Sequence, residues 1–91
     1  MNFRVLWPQR VMRELTQAYL VAREAGEADA VTTSMAEVDA HLSANPTTAG
    51  ESRDGTERIL VARPVVVEYE VFEDERVVVV SAARYYRRRG A

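Results

Sequence analysis

Residues 65–89 read VVVEYEVFEDERVVVVSAARYYRRR. Glu68 and Glu70 sit in a valine-rich run, and the far end gathers Arg84, Tyr85, Tyr86, Arg87, Arg88 and Arg89. Upstream, Arg53 and Arg58 add further cations. Such residues suit cleavage of a phosphodiester through a 2′-hydroxyl. That reaction needs a base for the nucleophile, an acid for the leaving oxygen and cations for the phosphorane. Glu68 or Glu70 would be the base and Tyr85 or Tyr86 the acid. Arg53, Arg58 and Arg84 would carry the opposing charge. No spacing motif fixes these roles. The same residues also suit protein recognition, with the glutamates and the neighbouring Val66 and Phe72 receiving a cationic segment. A solvated sheet face with no partner is the third reading.

Other chemistries find less support. The chain has no cysteine, which excludes a disulfide framework, a thiolate metal site and a cysteine nucleophile. His41 is the single histidine; with no second histidine and no cysteine the chain offers no zinc-ligand pattern, and no serine–histidine–acid arrangement is visible. It lies about 100° round the helix from Leu42 and reads as partly exposed. GESRDG (50–55) lacks the Gly-Lys-Ser/Thr ending of a phosphate loop, and its Asp54-Gly55 reads as a turn. No cofactor, metal or small-molecule ligand is expected.

The formal net charge of −2 gives the molecule no general attraction to nucleic acid. All 12 basic residues are arginine, the side chain best suited to bidentate contacts. A basic tail at 84–91 could meet phosphates and stack on bases, or be a frayed end. No apolar run approaches the roughly 20 residues of a membrane helix. The opening residues do not read as a signal peptide, and a cytoplasmic location is expected.

The elements that must position these residues follow from periodicity. The 91 residues suit one domain spanning 1–91. FRVLW (3–7) reads as a short strand. Pro8 opens a helix with Val11, Leu15, Ala18 and Ala22 on one stripe, and Gly26 ends it. Val31, Met35, Val38 and Leu42 repeat the spacing, with a ragged first turn at TTS (32–34) and a stop at Asn45-Pro46. Residues 45–56 read as loop. Three strands follow at 57–63, 65–72 and 76–83. Their short connections imply antiparallel neighbours. The reading is an α+β fold in the order β-α-α-β-β-β, with the N-terminal strand and a helical hairpin on one face of an antiparallel sheet. Alternation sends Val65, Val67, Tyr69 and Val71 toward the helices. It sends Val66, Glu68, Glu70 and Phe72 away.

This layout resembles the RelE/ParE superfamily of bacterial type II toxin–antitoxin toxins. The residues that carry the resemblance are Leu42 and Asn45-Pro46 closing the second helix, the GESRDG loop and Arg58 opening the next strand. A proline before the central strand, YEV (69–71) within it and an acidic turn before a final valine strand complete the set. The resemblance implies an antitoxin partner. It also implies either ribosome-dependent mRNA cleavage or binding to gyrase. The central-strand arginine of the RNA-cleaving members falls at Val66, and the next outward positions are Glu68 and Glu70, which repel phosphate. Arg58 matches a basic position on the preceding strand, with Leu60 as its outward neighbour, and Arg84 matches one on the last strand. Tyr85 or Tyr86 stands near the family's C-terminal tyrosine at shorter spacing. The resulting expectation is a toxin-like protein that acts by protein binding, with Arg58, Val66, Glu68, Glu70 and Arg84 as partner contacts. Its alternatives are a divergent endoribonuclease resting on Arg58, Arg84 and Tyr86, and a solo or inactive module of the same fold.

Overall fold

The computed structural model describes residues 2–86. Strand β1 (Arg4–Leu6) leads into helix α1 (Gln9–Glu24), whose first intrahelical bond runs from the Met12 N–H to the Pro8 carbonyl. Pro8 itself lies just before the helix. The end of α1 is set by Gly26. Its φ of +76° lies in the left-handed region, which glycine enters without a steric penalty. The amides of Gly26 and Glu27 then turn back to the carbonyls of Arg23 and Ala22, completing a Schellman motif.

Helix α2 (Ala28–Ala44) is continuous through the threonines, contrary to the ragged turn expected there. Ala28, Asp29 and Ala30 supply its first turn, and the Thr32 hydroxyl bonds back to the Ala28 carbonyl. Val31, Val38 and Leu42 are buried on its inner stripe. Ser34 is buried beside them and donates to the Arg63 carbonyl at 2.7 Å, while Met35 is half-buried.

The segment read as loop contains two more elements. A short helix α3 (Pro46–Ala49) and strand β2 (Glu51–Ser52) precede β3 (Glu57–Ala62). Both are held by side chains from elsewhere in the sheet, which local composition does not reveal. A tight turn containing the cis Arg63–Pro64 bond joins β3 to β4 (Val65–Phe72). The turn at 73–76 then leads to β5 (Val77–Tyr85).

The strands form one sheet in the order β1-β5-β4-β3-β2. The β2–β3, β3–β4 and β4–β5 pairs are antiparallel, as their short connections require. Strand β1 joins the edge of β5 in parallel, Arg4 opposite Val77, so the sheet is mixed. The helical hairpin covers one face. Val11 and Ala22 of α1 and the α2 stripe meet Leu60, Val65, Val67, Tyr69, Val71, Val78, Val80 and Ala83 in a single apolar core.

The β4–β5 register slips by one residue. Glu68 faces Ala82 and Tyr69 faces Val80, so Ser81 is the extra residue of a β-bulge. Buried positions run Val78, Val80, then Ala83, and the alternation changes phase at the bulge. Without it, Ala82 and Arg84 would continue the inward series. With it, Arg84 reaches the open face. The strand continues through Tyr85, so Arg84 and Tyr85 belong to the sheet and not to the expected basic tail. Residues 87–91 of that tail lie outside the described residues.

Candidate partner-binding face

Residues paired across a ladder share a face, which makes the open side of the sheet explicit. Val66 lies between Val61 and Arg84, Glu68 between Ile59 and Ala82, and Glu70 between Glu57 and Val79. Pairing extends the face to Leu6, opposite Val79, and to Glu51, opposite Ile59. Phe72 pairs with Val77, which pairs in turn with Arg4. Of the expected contacts, Val66, Glu68, Glu70 and Arg84 therefore come together.

Their polar atoms have partners. Arg84 donates to a Glu68 carboxylate oxygen at 2.7 Å, with both side chains partly exposed. Thr56 donates its hydroxyl to Glu70. The Ser81 hydroxyl donates to the Glu68 carbonyl at 3.2 Å, tying the bulge to β4. Between these groups lie partly buried Val66, Ile59, Val77 and Val79, and exposed Val61, Phe72 and Leu6. The carboxylates of Glu51, Glu57, Glu68 and Glu70 outnumber the guanidinium groups of Arg4 and Arg84 on this face. A phosphate backbone would be repelled by such a field, and a cationic segment with apolar side chains would be matched by it.

Arg58 is the correction. It pairs with Tyr69 and so lies on the helix side, opposite Glu68 and Glu70. Its outward neighbours are Ile59 and Val61, and Leu60, expected outward, is buried in the core. The Arg58 guanidinium donates to the Gly50 carbonyl at 2.5 Å, while its buried Nε has no hydrogen-bond partner among the described residues. Beside it, the fully buried Tyr69 hydroxyl donates to the Pro46 carbonyl at 2.8 Å. Together they fasten α3 and β2 to the sheet. Gly50 is required here, because a Cβ would lie 2.7 Å from the Tyr69 hydroxyl and closer still to the backbone of Ile59. Arg58 thus acts on its own chain.

The structure also separates the candidate cleavage residues. Arg58 and Arg84 lie on opposite faces. Tyr85 points to the helix side and donates its hydroxyl to Glu27 at the α1–α2 junction. Tyr86 is exposed and lines a groove beside α1. Arg53 is exposed in the turn after β2, and His41 is exposed on α2. Among the described residues, no cluster of histidine, aspartate or glutamate is arranged to hold a metal ion. No described helix is long and apolar enough to cross a membrane.

Sequence reasoning missed Glu51, Glu57, Ile59, Val61 and Leu6 as members of the open face. Its two strand-pairing clues, the Glu57–Glu70 and Arg4–Val77 registers, appear only once the strands are placed side by side.

The fold has a solved counterpart. The structure is similar to a chain in the crystal structure of the toxin–antitoxin complex RelBE2 from Mycobacterium tuberculosis. The TM-score is 0.65 at 14% sequence identity, and the match covers 93% of this chain and 99% of that one. No protein-family model matches the chain, and no curated protein matches it in sequence. The α+β arrangement read from the order of elements in the sequence is the arrangement of the structure.

Proposed function

We propose that this protein is a toxin-like component of a bacterial type II toxin–antitoxin system that works by binding proteins. The open sheet face takes its antitoxin, or a cellular target such as gyrase, through Val66, Glu68, Glu70 and Arg84. The observation that carries this reading is the charge of that face, on a fold shared with a chain of a toxin–antitoxin complex. Glu68 and Glu70 stand at the centre of the sheet, where binding RNA would call for cations, and the Arg84 guanidinium is already engaged by Glu68. The opposite placement of Arg58 and Arg84 also weighs against joint action on one scissile phosphate.

Three measurements test the proposal. Expression alone in a bacterium should arrest growth, and a short antitoxin-like reading frame, whose co-expression restores growth, should be found beside the gene. Unimpaired growth at high soluble level counts against an active toxin. Charge reversal at Glu68 and Glu70 to arginine should weaken partner affinity by at least about tenfold, because like charges facing each other across an interface are strongly unfavourable. Specific mRNA cleavage by the purified protein in a translation system, lost in Arg84→Ala, would overturn the protein-binding reading in favour of an endoribonuclease.

A further inference from the structure

The second candidate surface lies at the edge of the sheet and owes nothing to the function proposed above. Strand β1 covers β5 only from Val77 to Val79. Continuing it is impossible at Pro8, which has no N–H to donate. Past the bulge no described strand covers the edge, and two side chains of α1 take its place. Arg10 donates to the Ser81 carbonyl at 2.6 Å, and Glu14 accepts from the Ala83 N–H at 3.0 Å. The two are joined by an ion pair at 2.7 Å.

This bonding pattern has a specific meaning. In a parallel ladder a residue donates its N–H to the carbonyl before its opposite number and accepts from the N–H after it. A parallel residue opposite Ala82 would therefore bond to the Ser81 carbonyl and the Ala83 N–H. Arg10 and Glu14 supply one donor and one acceptor at those two positions. They extend, with side chains, the ladder that β1 begins with backbone.

The seal is accessible. The side chain of Arg10 is 63% exposed and that of Glu14 is 35% exposed, and ion pairs in such settings contribute little to stability. Beside it runs a groove of about 500 Å³ between α1 and β5, walled by Ala18, Val21 and Tyr86. Val21 and Tyr86 are more than half exposed. The groove thus offers apolar contact next to a backbone-type donor and acceptor.

We infer that the α1–β5 groove is a strand-docking site: an extended segment of a partner protein enters parallel to β5 and displaces the Arg10–Glu14 seal, its own peptide groups taking over the bonds to Ser81 and Ala83. The occupant is defined by backbone chemistry, with small or branched apolar side chains alternating toward Ala18 and Val21.

The test uses a capped alternating Thr–Val hexapeptide as the probe, with binding read from the backbone amide signals of the full chain. The Ala83 amide should shift on titration of the wild type. Removing the seal in Arg10→Ala/Glu14→Ala should tighten binding by about tenfold, the effect of freeing one hydrogen-bonding pair. Glu14→Gln keeps an acceptor for Ala83, loses the ion pair and serves as the conservative variant if the double variant does not fold; it should bind with intermediate affinity. N-methylating the peptide backbone should abolish binding. Equal affinity for wild type and both variants overturns the inference. So does equal binding of the N-methylated peptide, which would mean apolar capture alone. Self-association of the unsealed variant in sedimentation, with no peptide binding, would make a second copy the occupant and overturn the assignment to a partner strand.

Discussion

Strand β4 presents polar groups on both of its faces, and the two sets are used differently. On the covered face, Tyr69 and its neighbour Arg58 are directed at the carbonyls of Pro46 and Gly50. On the open face, Glu68 and Glu70 are engaged by Arg84 and Thr56, within reach of water. A buried acceptor stripped of its donor has nothing to replace it, so the first set is obligatory for the fold. An exposed pair can trade its partner for water or for another protein at little cost. Mutational sensitivity and functional importance should therefore separate across the thickness of one strand.

The sharpest way to break this division is to insert one alanine after Ser81. With the one-residue bulge kept, alternation would then turn Ala82 and Arg84 inward and Tyr85 outward, placing an unpaired guanidinium in the core. The insertion should cost on the order of 3–5 kcal/mol or more, and urea denaturation should show a largely unfolded protein. Leu42→Ala, at a fully buried position, should cost about 2–5 kcal/mol in the same assay. Tyr69→Phe leaves the packing intact but orphans the Pro46 carbonyl, for an expected loss of about 1–3 kcal/mol. Hydrogen exchange should rise selectively over 46–52, and uniform exchange would show that the hydroxyl does not fasten this segment. Arg84→Ala marks the other end of the scale. Its exposed ion pair should contribute no more than about 1 kcal/mol, while partner affinity falls. A stability loss as large as that of Tyr69→Phe would erase the distinction between the faces.

The alternation of β4 was legible because four apolar residues, Val65, Val67, Tyr69 and Val71, share one parity. In ERILVAR neither parity is clean: Arg58, Leu60 and Ala62 compete with Glu57, Ile59 and Val61. Only the pairing of Arg58 with Tyr69 decides, and that is a contact between strands. The helices were readable from their stripes, since their bonds are local. Helix α3 and strand β2 were not, because polar composition argues for a loop and the bonds that order them come from Arg58 and Tyr69. The bulge leaves one trace, the change from valines to SAAR, which marks no definite phase shift by itself. The candidate face was thus half visible: its central carboxylates were apparent, and the removal of Arg58 from it was not.

Strand β1 carries a consequence for how the molecule forms. Its partner is the start of β5, so Arg4 must wait for Val77 before the sheet can close at that edge. The intervening helices and hairpins can assemble through near neighbours, whereas this parallel pairing joins distant parts of the chain. Contacts of such long sequence separation slow folding, because the loop between them must close before they repay it. On the ribosome β1 emerges well before its partner β5 and is therefore among the last strands to find its place. Until β1 docks, the valine edge of β5 from Val77 to Val79 stays open to other chains.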